Sequence, residues 1–214
     1  MQLQEEVRQA LHLTQFDSIA AQSRMKPVPR SRVRPFDRPG DARQGAVLLL
    51  LFRHDDQVRF VLTRRRDNLA AHAGQISLPG GRREDGESLQ ETALRETYEE
   101  VGIEPQSISI LGRLAPLYIP PSDFEVHPFV GWREERPAFV PQLSEVAEII
   151  EAPLSDLLDD SSRREEVWER NGMSIQVPFF QINSHKVWGA TAMVLSEFAE
   201  RIRSQIDGNQ ATVT

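Results

Sequence analysis

The sequence contains no cysteine, which excludes disulfide bonds, thiolate zinc sites and cysteine nucleophiles. Chains of this kind are typical of the reducing cytoplasm, so we expect a cytoplasmic protein. Lysine is almost as rare, because only Lys26 and Lys186 among the 25 basic residues are lysines. Recognition of phosphate or carboxylate would therefore depend on arginine guanidinium groups. A compositional bias toward arginine explains the same count.

Positive net charge and long apolar segments are also absent. The 25 basic and 32 acidic residues leave a net charge of −7, which argues against a mainly electrostatic grip on nucleic acid or anionic membranes. The longest apolar run, residues 46–52, has the length of a strand and cannot span a bilayer. The first eight residues include Glu5 and Glu6 and have no apolar core, so we expect no secretory signal in them. We predict neither a nucleic-acid partner nor membrane association.

The length of 214 residues suffices for one domain and a modest extension. Residues 1–44 are predicted to form an N-terminal helix and an extended linker. Apolar residues recur at helical spacing in the first 23, and proline and arginine dominate the rest. We assign residues 45–205 to one domain and residues 206–214 to a frayed polar tail. The N-terminal helix either pairs two subunits or folds back onto its own domain.

Strand patterns dominate the domain. Residues 46–52 and 58–63 form a predicted hairpin with a tight turn at Asp55 and Asp56. With one strong helix in the middle and another near the end, the order favours an α+β fold, an α/β/α sandwich with helices on both sides of a sheet. Further strands are predicted at residues 108–117, 124–132, 146–150, 166–168 and 174–182, and further helices at residues 153–158 and 191–203.

The strongest local signal is a helix at residues 89–101. Ser88 is a good N-cap, and Glu91 three residues later completes a capping box. Gly102 stands where a left-handed C-cap is expected. Just upstream, the Pro-Gly-Gly sequence at 79–81 predicts a turn with close backbone approach.

Three carboxylates converge on one side of this helix. Glu96 and Glu100 are one turn apart, and Glu99 lies in the neighbouring column. Like charges at this spacing destabilise a helix by about 0.2–0.5 kcal/mol, and a divalent cation would remove that cost. Oxygen ligands without cysteine or histidine suit Mg²⁺ or Mn²⁺ better than zinc. The alternative is a solvated acidic surface with Arg95 as an intrahelical partner.

The spacing of the residues in and around this helix favours the metal site over the solvated acidic surface. The sequence fits the pattern G-x5-E-x7-R-E-U-x-E-E-x-G-U, in which U is a bulky aliphatic residue and Thr97 occupies the first U position. A chance match is expected in about one window in ten million. The chain resembles the Nudix hydrolases, from about residue 45 to residue 203. The residues that match this Nudix box are Gly81, Glu87, Arg95, Glu96, Glu99, Glu100, Gly102 and Ile103.

The resemblance implies a Nudix-type α/β/α sandwich, a mixed sheet flanked by helices. It also implies an enzyme in which a divalent metal ion and an activated water cut the pyrophosphate of a nucleoside diphosphate derivative. Glu87 and Arg95 would brace the loop and orient Glu96. All box glutamates are present, which argues against a catalytically silent ligand sensor, and a homodimer is a further family-based expectation. The residues that would hold Mg²⁺ or Mn²⁺ are Glu96, Glu99 and Glu100, with the Gly81 carbonyl.

A general base is still required. Some enzymes of the family use a box glutamate, which here would be Glu96 or Glu99 beside Arg95. Others use a glutamate on a later loop, for which Glu145 is the best candidate, with Glu148 behind it. For both later residues the alternative is an ordinary exposed acid.

The stretch before the box contains a second set of spaced residues: Leu62, Thr63, Arg65, Gly74, Pro79, Gly80 and Gly81. With these residues it resembles the signature of the coenzyme A pyrophosphatase branch. That resemblance implies hydrolysis of coenzyme A or acyl-coenzyme A to 3′,5′-ADP and (acyl-)4′-phosphopantetheine. Arg66 replaces a small residue of the signature, Ala70 an arginine and Leu78 a phenylalanine. Because these departures include a possible phosphate contact, ADP-ribose, another nucleoside diphosphate derivative or an oxidised nucleoside triphosphate is the alternative substrate.

Four residues in this stretch are the predicted substrate contacts. Arg64 and Arg65 end a strand, where alternation sends them to opposite faces, and bidentate phosphate binding suits one of them. His72 would contact a phosphate or act as an acid, although a lone histidine is more often structural. Gln75 closes the HAGQ sequence typical of the branch.

Overall fold

The computed structural model describes residues 2–28, 42–67, 74–120, 122–170 and 172–211, which contain eleven strands and five α-helices. The helices are α1 (Gln2–Leu11), α2 (Ser18–Ser23), α3 (Leu89–Val101), α4 (Leu154–Leu158) and α5 (Gly189–Ala211). The strands are β1 (Arg43–His54), β2 (Gln57–Arg65), β3 (Ile76–Ser77), β4 (Gly80–Arg82), β5 (Ser109–Arg113), β6 (Leu117–Ile119), β7 (Phe124–Arg133), β8 (Val146–Pro153), β9 (Arg163–Arg170), β10 (Met173–Ile182) and β11 (His185–Trp188).

A mixed sheet occupies the centre of the fold. β1 and β2 form the predicted hairpin, and Asp55 and Asp56 in its turn both have positive φ, 49° and 60°, as a two-residue type I′ turn requires. β1 also runs parallel to β7, and the sheet has the order β3-β2-β1-β7-β5. β8 pairs with β2, β4 with β1 and β6 with β7. The combination of parallel and antiparallel pairs confirms the α+β prediction.

Both faces of this sheet are covered. Leu48 and Leu50 of β1 pack with Ala93 of α3 on one face. Leu49 and its alternate neighbours on β1 belong to a larger core on the other face, together with residues of α1 and α5. Alternating side chains of one strand thus enter two cores, which gives the predicted α/β/α sandwich.

A second, three-stranded antiparallel sheet, β9-β10-β11, packs against the larger core. Phe180 and Ile182 of β10 and Val187 of β11 are buried in that core. β11 is not predicted by its sequence pattern, because four residues with two polar side chains carry no alternation long enough to indicate a strand.

The N-terminal segment forms two helices and folds back onto the domain. The prediction of one helix over the first 23 residues was wrong, because α1 ends at Leu11 and Asp17 starts α2 by accepting a hydrogen bond from the Ala20 N–H at 2.9 Å. Val7 and Leu11 of α1 share the larger core with Phe198 of α5. Of the two alternatives for this segment, the structure has the one that contacts its own domain.

A buried polar network fixes these helices to α5. Glu197 is fully buried and accepts hydrogen bonds from Arg201 at 3.0 Å and from Gln22 of α2 at 2.8 Å. Arg201 in turn donates to the hydroxyl of Ser18 at 3.0 Å. Each buried charge therefore has partners, as burial demands.

The last helix is longer than its sequence pattern predicted. α5 runs to Ala211 instead of ending near residue 203, so residues 206–211 are helical where a frayed tail was expected. Once the first turns are anchored in the core, adding residues to a helix costs little. Although α5 has 23 residues, neither it nor any other described helix carries an apolar stretch that would cross a bilayer.

Candidate active site

The site is built on the strand, loop and helix at residues 80–101. β4 pairs with β1, with Gly81 opposite Ala46. α3 begins at the predicted capping box, in which the Glu91 N–H donates to the Ser88 hydroxyl at 3.3 Å and the Ser88 N–H donates to the Glu91 carboxylate at 2.7 Å. It ends at Gly102, whose φ is 75° and whose N–H donates to the Tyr98 carbonyl at 2.8 Å. The predicted helix bounds are therefore confirmed.

Gly81 allows the loop to contact the helix. A Cβ at this position would lie 2.4 Å from the Glu96 Cδ atom. The Glu96 carboxylate thus lies directly against the main chain of the loop. This close approach explains why the Nudix box requires glycine here.

Arg95 connects the loop to the acidic face of α3. Its Nη2 and Nε atoms donate to the two Glu87 carboxylate oxygens at 2.9 and 3.1 Å. Its Nη1 atom donates to Glu96 at 2.9 Å and to Glu99 at 3.2 Å. A planar guanidinium group makes these bonds in one geometry, so Arg95 sets the position of three carboxylates at once.

Glu87 holds the loop closed from the other side. Its carboxylate also accepts hydrogen bonds from the Glu84 N–H at 2.7 Å and the Thr92 hydroxyl at 2.8 Å. The hydrogen bonds from Arg95 are the main cause that lowers the Glu87 pKa to about 2. Arg83 adds a bond from its Nε atom to the Glu87 carbonyl at 2.6 Å. The loop is therefore braced around an ionised carboxylate.

Glu100 of α3 is buried against Thr63 of β2, and its carboxyl is difficult to ionise. The residue is 5% exposed. Burial, followed by the negative charge of Glu96, raises the Glu100 pKa to about 8. Its one hydrogen-bond donor in the described residues is the Thr63 hydroxyl at 3.5 Å. Burial also raises the Glu96 pKa, against the effect of Arg95.

The donor set fits a hard divalent cation. Glu96 and Glu100 are desolvated acids that repel each other, and a cation between them would relieve the repulsion. Glu99 instead bonds to Arg95 and has a half-exposed side chain. Among the described residues, no three acidic or histidine side chains lie close enough together to hold a metal ion. To serve as a third ligand, Glu99 would have to leave Arg95.

Glu145 reaches the same site from a distant part of the sequence. It lies on the loop of residues 140–145, which we call the Glu145 loop. Two hydrogen bonds tie this loop to the end of α3, from the Val140 N–H to the Val101 carbonyl and from the Gln142 N–H to the Glu100 carbonyl, both at 2.9 Å. The negative charge of Glu145 raises the pKa of both Glu96 and Glu100.

Glu148, the other candidate on this part of the chain, faces elsewhere. It pairs with Arg64 at 3.6 Å and with His185 of β11 at 3.3 Å. β11 packs on the sheet face opposite α3. Of the two later glutamates, the structure brings only Glu145 to Glu96 and Glu100.

The two strand-end arginines lie on opposite faces, as alternation predicted. Arg65 follows Thr63 on the α3 side, and its positive charge lowers the Glu100 pKa. Its Nε atom is buried and has no hydrogen-bond partner in the described residues. Arg64 instead pairs with Asp67 at 3.0 Å and with Glu148. The structure therefore does not bring Arg64 to the candidate site, because strand alternation turns it to the other face.

Comparison with known proteins gives the family. The profile of the NUDIX domain matches residues 42–170. This chain belongs to the Nudix family. It is 35% identical over 161 residues to Nudix hydrolase 22, chloroplastic, of Arabidopsis thaliana, a match covering 72% of this chain and 53% of that protein. It is also 35% identical over 170 residues to the uncharacterized Nudix hydrolase NudL of Photorhabdus laumondii, covering 79% of this chain and 90% of that protein.

Solved structures share the Nudix fold. The Nudix hydrolase RenU of M. smegmatis has a TM-score of 0.51 at 15% identity, covering 81% of this chain and 88% of that one. The MutT protein of Methanosarcina mazei has a TM-score of 0.50 at 21% identity, covering 79% and 99%. At these identities the likeness shows the fold alone. The chain spans about half the length of the Arabidopsis relative, 53%.

Of the two remaining predicted substrate contacts, Gln75 and His72, the structure describes only Gln75. Gln75 accepts a hydrogen bond at its carbonyl from the Arg65 N–H at 3.0 Å, which places it beside the end of β2. His72 and Ala70 lie outside the described residues. Leu78, which stands where the branch signature has phenylalanine, is buried in the larger core.

Sequence reasoning missed two polar contacts of the Nudix site. Thr63 matched the branch signature but was assigned no role, although it is the donor to Glu100. Thr92 bonds to Glu87 from the second turn of α3. Its hydroxyl also lies within hydrogen-bond distance of the Ser88 carbonyl at 3.1 Å, a contact within one helical turn, whereas the bond to Glu87 depends on the position of the loop before α3.

Proposed function

We propose that this Nudix protein is a divalent-metal-dependent pyrophosphohydrolase that converts coenzyme A or acyl-coenzyme A into 3′,5′-ADP and (acyl-)4′-phosphopantetheine. The observation that carries the proposal is the position of Arg65. This residue belongs to the branch signature, lies beside Glu100 and has a buried, unpartnered Nε donor among the described residues. A substrate phosphate would satisfy that donor.

The box residues would supply the metal site. Glu96, Glu99 and Glu100, with the Gly81 carbonyl, would hold Mg²⁺ or Mn²⁺. When bound, such an ion neutralises charge on the two phosphoryl groups and favours ionisation of the attacking water. The residues around the site keep these groups in place, because Arg95 holds Glu96 at 2.9 Å while Glu87 holds Arg95.

The remaining chemistry requires a base and a phosphate anchor. Glu145 would accept the proton as the water oxygen attacks one phosphorus and the bridging P–O bond breaks, with the second phosphate leaving. Glu145 suits this role because it is exposed to solvent and close enough to act electrostatically on Glu96 and Glu100. Arg65 would bind a phosphate through charge-assisted hydrogen bonds.

A substrate panel tests the proposal. Purified protein with Mg²⁺ or Mn²⁺ is incubated with coenzyme A, acetyl-coenzyme A, ADP-ribose, NADH and 8-oxo-dGTP, and products are identified by mass spectrometry. We expect fastest hydrolysis of the two coenzyme A compounds. Fastest hydrolysis of one of the other three would overturn the substrate assignment and leave the metal-dependent chemistry intact.

Two neighbouring arginines provide a matched test of the phosphate contact. Arg65→Gln should raise KM for coenzyme A by about 10- to 100-fold, the value of one or two charge-assisted hydrogen bonds. Arg64→Gln removes the same charge one residue away on the opposite face and should change KM by less than about threefold. Equal effects of the two variants would contradict a specific phosphate contact at Arg65.

The alternative substrate is another nucleoside diphosphate derivative, such as ADP-ribose, or an oxidised nucleoside triphosphate. Ala70 and Leu78 favour it, because both depart from the branch signature. A homodimer and a cytoplasmic location are also proposals, and light scattering of the purified protein and cell fractionation would test them.

A further inference from the structure

Arg66, the residue after β2, joins the Glu145 loop at two points. Its N–H donates to the Glu145 carbonyl at 2.9 Å. Its guanidinium Nη1 atom donates to the Leu143 carbonyl. The side chain of Arg66 thus crosses from the end of β2 to the main chain of the loop that carries the proposed base.

Few other contacts hold the Glu145 loop near the end of β2. Val140 is 65% exposed and Leu143 is 67% exposed, so the loop is not anchored by apolar burial. Its two other hydrogen bonds to the rest of the domain, to the Val101 and Glu100 carbonyls, both lie at the end of α3. Because the loop packs so little apolar surface, its hydrogen bonds decide where Glu145 lies.

The sheet ladder does not fix the loop either. β8 pairs Glu148 with Arg64 and Val146 with Arg65, so the register shifts and Ala147 is an extra residue between the two pairs. Such a bulge bends the strand and changes the direction of the residues that precede it. The next contacts after this bulge are the two hydrogen bonds from Arg66, to the Glu145 and Leu143 carbonyls.

We propose that Arg66 is a positioning residue, which holds the Glu145 loop so that the Glu145 carboxylate faces Glu96 and Glu100. The proposal rests on the proposed function, in which Glu145 accepts the proton of the attacking water. It concerns a feature of this chain, because the resembling signature has a small residue at this position. A small side chain would not reach the Leu143 carbonyl.

Two single variants test the side-chain contact. Arg66→Ala removes it and should lower kcat by about tenfold, as a base displaced by less than 1 Å would, with KM unchanged within about twofold. Arg66→Lys keeps a donor of similar reach and should restore kcat to within about threefold of the wild type. The rates are measured with the fastest substrate of the panel.

Arg59→Ala is the matched control. Arg59 lies on β2 itself. Its Nη1 atom donates to a β8 carbonyl, that of Glu151, at 3.2 Å, at the end of the β2/β8 pair opposite Arg66. Its kcat should equal that of the wild type. A loss in Arg59→Ala as large as that in Arg66→Ala would mean a general effect on the sheet and would overturn the proposal, as would an unchanged kcat in Arg66→Ala.

A double-mutant cycle identifies the residue through which Arg66 acts. If Arg66 only positions Glu145, then Arg66→Ala combined with Glu145→Gln should be no slower than Glu145→Gln alone. Multiplicative losses would overturn the positioning role while leaving the enzyme's activity established. A wild-type protein that hydrolyses none of the five substrates would overturn the proposed function itself, and the positioning role with it.

Discussion

Replacing Glu100 by glutamine should stabilise the metal-free protein at alkaline pH while removing its activity. The Glu100 pKa is raised by burial to about 8 from an ordinary 4.5. An acid of this kind ionises more easily in the unfolded chain, so its contribution to stability falls as pH rises from about 4.5 through about 8. Above that window the folded protein carries the full cost of a buried carboxylate.

The size of the effect follows from the two pKa values. The difference between them sets a ceiling of about 5 kcal/mol on the cost of the ionised group. Water entry and small rearrangements reduce such costs, and the glutamine amide has only the Thr63 hydroxyl as a close partner. We therefore expect Glu100→Gln to raise the free energy of unfolding by about 2 kcal/mol at pH 9 and by much less at pH 5.

Urea denaturation of EDTA-treated protein at both pH values measures this difference. Glu165→Gln, a substitution of an exposed glutamate on β9, is the control and should leave stability unchanged at both. Mg²⁺ should stabilise the wild type and have little effect on Glu100→Gln, since binding to the folded state alone raises stability. A variant no more stable than the wild type at pH 9 would refute the claim that the buried Glu100 carboxylate destabilises the metal-free protein.

Three further predictions concern the residues that hold the loop between β4 and α3. Arg95→Lys should lower kcat, measured in rate assays, at least about tenfold, because one ammonium group cannot bond both Glu87 oxygens and also reach Glu96. Glu87→Gln should lower the free energy of unfolding most above about pH 4.5, and the difference from the wild type should vanish as pH falls toward 2. The reason is that the Glu87 pKa is lowered to about 2 in the folded protein. Acid titration of both proteins, followed by circular dichroism, tests this. Gly81→Ala should reduce activity at least about tenfold by displacing Glu96, whereas Gly208→Ala on α5, whose added Cβ meets nothing within 4 Å, should not.

Local signals predicted the elements that depend on local chemistry. The bounds of α3 follow from Ser88, Glu91 and Gly102, each of which acts within a few residues of itself. The hairpin turn follows in the same way from Asp55 and Asp56. Alternation along β2 also predicted that Arg64 and Arg65 would face opposite ways.

Other features depend on contacts that no short stretch of sequence encodes. The break between α1 and α2 reflects docking onto α5, and the length of α5 reflects its anchored start. Glu145 was the first of two candidate acids in the sequence, ahead of Glu148, and it reaches the site because its loop bonds to the ends of α3 and β2. Thr63 and Arg66 gained partners for the same reason, through residues 37 and 77 positions away.

The most direct test of the central claim is a time course of 3′,5′-ADP release from coenzyme A by the purified, EDTA-treated protein before and after addition of Mg²⁺. We predict no release before addition, rapid release of equal amounts of 3′,5′-ADP and 4′-phosphopantetheine after it, and no release by Glu100→Gln under either condition. Release that is independent of metal, or undiminished in Glu100→Gln, would contradict the account.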